Sequence, residues 1–188
     1  MVKIFSKIRA SYGEKYLAKK GKTLVRQKQA HNFDSARNIG ILFDAGVPND
    51  LHQVKEFIKF LSSQNISCSA LGFQDEEIIS SDLLFLGNIN VFCQKDLDFF
   101  FRPNQEDALS FMSKKFDMLI DLSLAGHYPL RYICSLSPAV FKAGKYTDGD
   151  KNLDFMIDIH SNPSLEFLIE QIKNYVSILN NPKISSPN

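Results

Sequence analysis

The sequence predicts an α/β domain of three layers, in which a mostly parallel sheet carries helices on both faces. From residue 38 onward, short apolar segments typical of strands alternate with longer segments whose apolar residues recur at helical spacing. Strands separated by helices need crossover connections, and such connections favour parallel pairing. The chain has 188 residues, of which 44% are hydrophobic, and this is enough for one such domain and an appendage.

The appendage is basic and precedes the domain. Residues 1–37 contain ten Lys or Arg and two acids, whereas the rest of the chain contains twelve basic and nineteen acidic residues. Apolar residues recur every three or four positions from Ile4 to Tyr16, which predicts a basic amphipathic helix that ends near Gly21. The chain therefore divides into a basic helix with a lead-in segment (1–37), a single α/β domain (38–180) and a disordered tail (181–188).

Strands and helices then follow in alternation. Apolar runs predict strands at 38–46 (with its turn), 65–73, 117–122, 139–142 and 153–160. Helical spacing predicts helices at 48–64, 103–115, 128–136 and 163–179. The helix at 103–115 has acids in its first turn and lysines in its last, as the helix dipole prefers. Residues 75–102 contain extended apolar material, and the sequence leaves open whether it forms an antiparallel pair.

Three of the predicted strands end in an aspartate that follows apolar residues, namely Asp44, Asp121 and Asp158. In a Rossmann-like parallel sheet the carboxyl ends of the strands share one edge, and ligands bind in the crevice outside that edge. We therefore expect a ligand pocket in the loops that follow these strands. The candidate pocket residues are Asp44, Asp50, Asp121, Ser123 and His127.

A simpler role is open to each of these side chains. An aspartate after a strand often caps the next helix or closes a turn, because its carboxylate accepts backbone N–H bonds. A metal site would need the three carboxylates to converge, and the sequence gives no sign that they do, so we expect no metal ion. The histidines are equally compatible with the protein surface.

The candidate residues are not accompanied by a catalytic motif. The loop after the first strand, DAGVPND, has one Gly where a dinucleotide fingerprint needs three, and no Ser lies in a GxSxG motif. The cysteines, Cys68, Cys93 and Cys134, are far apart and lie in or beside apolar runs, which excludes a CxxC metal pair. The sequence therefore assigns no catalytic residue and no cofactor, and whether the protein is an enzyme stays open.

The basic N-terminal helix allows several partners. Its apolar face suits packing on the domain or on a second copy of the chain, and its lysines beside Phe and Tyr suit an anionic membrane surface. Nucleic acid is the weaker alternative, because no RNA-binding aromatic motif or zinc finger is present. With no apparent signal peptide and no apolar run long enough for a membrane span, we expect a cytoplasmic protein that can contact the inner membrane surface.

Several segments resemble a family of short bacterial proteins of unknown function. The resemblance is carried by the basic leader and by IGILFD, FDMLIDLSL, PLRYICSLSPAVFKAG and LDFMIDI, and it extends from residue 1 to about 179. It implies a bacterial cytoplasmic protein with no assigned activity.

The stretch FDMLIDLSLAGHYPLRYICSLSPAVFKAG is also similar in pattern to the N-terminal, Rossmann-like half of heptosyltransferase-type glycosyltransferases. In that family a Gly-Asp pair follows the first strand, and its Asp is the candidate base. The nearest match here is Asn49-Asp50, which lacks the Gly. Because the chain ends before a second, nucleotide-sugar-binding half, the resemblance implies a reduced or repurposed half of such an enzyme.

Two hypotheses of function follow. The first is a binding or interaction domain without catalysis, whose basic helix contacts a partner, a second copy or the membrane surface. The alternative is an enzyme or ligand-binding protein that acts on a sugar or nucleotide-like ligand at the carboxyl ends of the strands.

Overall fold

The structure is a computed structural model that describes residues 12–13, 15–17, 19–21, 24–83 and 86–179. Six strands form its sheet: β1 (Asn38–Asp44), β2 (Ser67–Gln74), β3 (Ile89–Cys93), β4 (Met118–Asp121), β5 (Phe141–Lys145) and β6 (Phe155–Ile157). Four α-helices are described beside them: α1 (Asp50–Ser63), α2 (Glu106–Ser113), α3 (Tyr128–Leu136) and α4 (Leu165–Ile178). The predicted α/β fold is confirmed.

All neighbouring strands of the sheet are parallel, in the order β3-β2-β1-β4-β5-β6. The chain first builds outward from β1 through β2 to β3, then returns to the other side of β1 to place β4. This is the strand order of doubly wound dinucleotide-binding sheets, in which the order reverses between β1 and β4. Asp44 and Asp121, which end these two strands, therefore lie at the switch point.

The helices cover both faces of the sheet, which gives the predicted three layers. Helices α1 and α4 pack on one face, where they meet strand residues such as Ile41, Phe43 and Ile120. Helices α2 and α3 pack on the other face against Leu42 and Leu119. Because side chains alternate across a strand, neighbouring residues of β1 belong to different cores, and its apolar run is continuous as expected for a buried parallel strand.

The segment 75–102, which the sequence left open, contains the parallel strand β3. Among the described residues, its antiparallel pairing is limited to one isolated bridge, between Leu97 and Pro103. The helix predicted from Pro103 begins later, at Glu106, because the Gln105 side chain accepts the N–H of Ala108 and caps it.

Two predicted boundaries near the carboxyl half also move. The strand predicted at 139–142 runs from Phe141 to Lys145, since its pairing with β4 starts where Met118 lies opposite Phe141. The helix predicted from Pro163 starts at Leu165, after Ser164 accepts the N–H of Phe167. The local sequence pattern located both elements. Strand pairing sets the start of β5, and the Ser164 cap sets the start of α4.

Helix coverage is incomplete over β5 and β6. The connection between them, residues 146–154, contains no helix, although parallel crossovers usually contain one. On the α3 side, residues 147–153 of this connection and residues of the N-terminal segment between Leu17 and Arg26 line an open space. The space between them is the cavity described below.

The predicted basic N-terminal helix falls partly outside the described residues, which begin at Tyr12. The described residues between 12 and 21 have helical backbone. Tyr16 stacks on Tyr132 of α3, with ring centroids 6.4 Å apart, and Leu17 is buried. In the described part of the chain, no helix is both long enough and apolar enough to cross a membrane.

Candidate functional site

The loop between β4 and α3, residues 122–127, is held across the switch point by Asp44. One carboxylate oxygen of this buried side chain, Oδ2, accepts the backbone N–H groups of Leu124 at 2.7 Å and Ala125 at 2.9 Å. Charge-assisted bonds of this kind are stronger than neutral ones. Asp44 therefore fixes the loop that carries Ser123 and His127.

Asp121 makes a turn within the same loop. Its Oδ1 accepts the N–H of Ser123 at 2.9 Å and the Ser123 hydroxyl at 2.6 Å. Burial raises the pKa of the Asp121 carboxyl to about 6, against the opposing effect of these hydrogen bonds. Asp121 thus forms the kind of turn that is common for aspartate after a strand, and it also has a pKa close to the physiological range.

The loop separates the predicted pocket residues into two groups. Asp121 and Ser123 line a cavity on the side of β4 and β5. Asp44, Asp50 and His127 do not line this cavity and lie near one another, with Asp75 after β2 beside His127. The structure thus does not bring all five predicted residues around one space.

The group on the β1 side is acidic. The Nε2 atom of His127 is 3.9 Å from Oδ1 of Asp44, and its Nδ1 atom is 3.8 Å from Oδ2 of Asp75. Asp50 is buried at the start of α1, and burial together with the charge of Asp44 raises its pKa to about 6. Oδ1 of Asp44 is buried and has no hydrogen-bond partner among the described residues.

The cavity on the other side has a volume of about 720 Å³, a size typical of small-molecule sites. Its walls come from the N-terminal segment, the loop 123–126, α3, β5 and the connection 147–153. Five basic and three acidic side chains line it: Arg26, Arg131, Lys142, Lys145, Lys151, Asp121, Asp148 and Asp150. The cavity is therefore polar, with an excess of basic groups.

One wall of the cavity is fixed by a buried ion pair. Arg26 binds Asp154 through two hydrogen bonds of 2.9 Å each and donates to the carbonyl oxygen of Ala139 at 2.8 Å. Lys28 adds a second ion pair with Asp154 at 2.9 Å. Burial alone would raise the pKa of Asp154, but the hydrogen bonds from Arg26 and Lys28 outweigh it and hold the pKa below its usual value.

The floor of the cavity contains two buried polar residues that the sequence analysis missed. The side chain of Lys142 projects from β5 and donates to the carbonyl oxygens of Cys134 and Ser135, at the end of α3. The hydroxyl of Ser135 is buried and has no hydrogen-bond partner in the described part of the chain. The available signal was a lysine beside apolar residues in the strand FKAGK, because a lysine is almost never fully buried unless it is paired.

The third strand-end acid stands apart from both groups. Asp158 follows β6, and its exposed carboxylate accepts the N–H of His160 at 2.9 Å and contacts the His160 ring. Within the described residues, no three His, Cys, Asp or Glu side chains are placed to hold a metal ion together. The three strand-end aspartates share an edge without sharing a site.

These features define the class of the protein as a doubly wound α/β domain with a polar cavity beside β4 and β5. The chain belongs to DUF6913, a family of unknown function whose model matches residues 9–179. No curated protein and no solved structure gives a significant match to it. The expected resemblance to a family of unknown function is confirmed, and the resemblance to heptosyltransferase-type enzymes stays a prediction.

Proposed function

We propose that this protein is a binding domain for a small polar molecule that carries an anionic group, of the size of a sugar phosphate or a nucleotide. The observation that carries the proposal is the cavity of about 720 Å³, whose wall includes Arg131, Lys145 and Lys151 in addition to the buried Lys142 and to Arg26, which pairs with Asp154. A site of this volume encloses a drug-sized molecule, and a few polar groups on its wall fix the orientation of that molecule.

The position of the cavity supports the same proposal. Asp121, Ser123 and Lys145 place part of its wall at the carboxyl ends of β4 and β5, and the switch point lies beside it. Ligands of open parallel sheets bind in this region because the loops there are free to vary while the sheet holds them in place. The sheet alone does not define the ligand, so the proposal depends on the wall residues.

The test is a thermal-shift screen of the full chain against sugar phosphates, nucleotides and nucleotide-sugars. A ligand that binds only the folded protein adds about 2.7 kcal/mol of stability at a hundredfold excess over its dissociation constant. We expect at least one phosphorylated compound to raise the melting temperature in a saturable manner. We also expect its unphosphorylated counterpart to have little effect.

A pair of matched variants locates the binding. Lys151→Glu reverses an exposed charge on the cavity wall, and Lys115→Glu makes the same change at an exposed position that does not line the cavity. Lys151→Glu should weaken binding by about tenfold, roughly 1.4 kcal/mol, while Lys115→Glu should leave it unchanged. Equal weakening by both variants, or a screen without a saturable shift, would contradict the proposal.

Other predictions accompany this proposal. We propose a cytoplasmic location, with the basic N-terminal helix available to a second copy of the chain or to an anionic membrane surface. The support is the concentration of basic residues in 1–37. Flotation with vesicles that contain anionic lipid tests the membrane contact, and binding that persists when Lys3, Lys7 and Arg9 are all changed to Glu would contradict it.

A further inference from the structure

Lys142 lies at the floor of the cavity and has an unusual set of neighbours. Its side chain is 1% exposed, and it is the one lysine among the buried residues of the described chain. It donates hydrogen bonds to the carbonyl oxygens of Cys134 and Ser135, the second at 3.2 Å. It forms no ion pair with a carboxylate within the described residues.

A neutral amine can make both of these contacts. A neutral amine has two N–H hydrogens, which the two carbonyl oxygens accept, and one remaining lone pair. An ammonium ion has a third N–H, and a buried positive charge without a carboxylate partner is costly. Burial lowers the pKa of the Lys142 amine to about 8, and the positive charge of Arg26 acts in the same direction.

Two further groups that can exchange or share a proton line the same cavity as this amine. The hydroxyl of Ser135, whose own carbonyl oxygen accepts a hydrogen bond from Lys142, has no partner among the described residues. Asp121 lines the same cavity and has a pKa of about 6, so its carboxyl group exchanges a proton near neutral pH. An amine nucleophile, a hydroxyl and a carboxyl group therefore line one small space.

We propose that the Lys142 amine forms an imine with an aldehyde or ketone that carries an anionic group and occupies the cavity. The nitrogen lone pair attacks the carbonyl carbon, and one proton passes from nitrogen to the carbonyl oxygen, which gives a carbinolamine. The hydroxyl group of the carbinolamine then leaves together with the second nitrogen proton as one water molecule, and the C=N bond forms. Desolvated lysines are the usual nucleophiles for this chemistry. The inference rests on the proposed binding function and names the ligand class as anionic carbonyl compounds.

The test uses pyridoxal 5′-phosphate, an aldehyde with a phosphate group, on the full wild-type chain. Borohydride reduces an imine to a stable secondary amine, so peptide mapping by mass spectrometry identifies the lysine that reacted. We expect Lys142 to be modified roughly tenfold or more over Lys151, which is exposed on the wall of the same cavity. Pyridoxal, which lacks the phosphate, should modify Lys142 much less.

Variants give a second test of the assignment of the adduct to Lys142. Lys142→Met removes the amine and keeps an unbranched side chain, so it should abolish the main adduct, whereas Lys115→Met, at an exposed position outside the cavity, should retain it. If Lys142→Met does not fold, the site of modification in the wild-type chain decides. Modification of exposed lysines only, or equal modification by pyridoxal, overturns the imine. A phosphorylated ligand that raises the melting temperature but leaves Lys142 unmodified overturns the imine alone, and the absence of both effects overturns the binding function as well.

Discussion

Asp44 is a single side chain that connects two strands and their loops. Its Oδ2 atom holds the N–H groups of Leu124 and Ala125, while its charge contributes to the raised pKa of Asp50 and of Asp121. Stability and electrostatics at the switch point therefore depend on the same carboxylate. Removing its charge and removing its acceptor atoms should have different consequences, and two substitutions separate them.

Asp44→Ala should destabilise the protein by about 2 kcal/mol, because two N–H groups lose a charged acceptor. Asp44→Asn keeps one oxygen acceptor, so it should cost less. It should also lower the pKa of Asp50 from about 6, while burial, the larger cause, keeps that pKa above 3.8. Urea unfolding measures the first effect and NMR titration of the carboxyl carbons the second. An unchanged Asp50 titration in Asp44→Asn would show that burial alone sets its pKa.

Asp121 contributes to the free energy of unfolding in a pH-dependent way, and its contribution has the opposite sign to that of most carboxylates. The pKa of Asp121 is about 6 in the folded protein, whereas an ordinary aspartate, as in the unfolded chain, has a pKa of 3.8. The folded protein therefore binds this proton more tightly than the unfolded chain does. This contribution is fully present below pH 3.8 and is lost as the pH rises through about 6. Its upper limit is about 3 kcal/mol, and solvent screening of this half-buried group reduces it.

The free energy of urea unfolding at about pH 4.5 and pH 7.5 tests this contribution. Relative to Asp121→Asn, the wild-type protein should lose about 1 kcal/mol between the two conditions. Ser123→Ala removes a hydrogen bond that lowers the pKa of Asp121, so it should enlarge the loss. A wild-type curve parallel to that of Asp121→Asn would refute the raised pKa.

At the scale of elements, the N-terminal segment contacts the connection 146–154, which contains no helix. The contact between these two segments depends on the buried ion pair of Arg26 and Asp154, whose side chains are 7% and 10% exposed. Lys28 contacts the same carboxylate but is 61% exposed. The two cations on this acid thus differ both in burial and in the number of hydrogen bonds that they make.

Arg26→Met should destabilise the protein by about 3 kcal/mol, because it leaves a buried carboxylate without its bidentate partner. Lys28→Met should cost less than about 1 kcal/mol, since solvent screens an exposed pair. Arg26→Met should also accelerate amide hydrogen exchange at residues 146–154, beyond any general loss of stability. Equal costs for the two variants would show that burial does not strengthen the Arg26 pair.

The elements were the part of the fold that the sequence could predict. Strands and helices such as Ser67–Gln74 and Leu165–Ile178 were found from local periodicity, because each buries its own apolar side against the sheet or within it. β3 was only loosely placed, since its short apolar run lies among irregular residues. The shifted ends of β5 and α2 were missed because pairing with β4 and the cap of Gln105 set them.

At the scale of the whole molecule, strand order and the cavity were beyond local pattern. The sequence predicted one shared edge for Asp44 and Asp121, and the structure has them on adjacent strands. It could not show that the loop 122–127 separates them, nor that Lys142 lies under the end of α3. Both facts depend on contacts between residues far apart in the chain, and the periodicity of apolar residues does not predict such contacts.

The cavity is built from segments far apart in sequence, so a bound ligand should be visible in all of them together. With a saturating phosphorylated ligand from the thermal-shift screen, amide hydrogen exchange should slow at residues 24–26, 123–126 and 147–153, which line the cavity. It should not change selectively in α1 or α4, which pack on the opposite face of the sheet. Protection centred on Asp50 and Asp75 instead would move the ligand to the acidic side of the loop. That result would leave a ligand-binding domain but reject the basic cavity as its site.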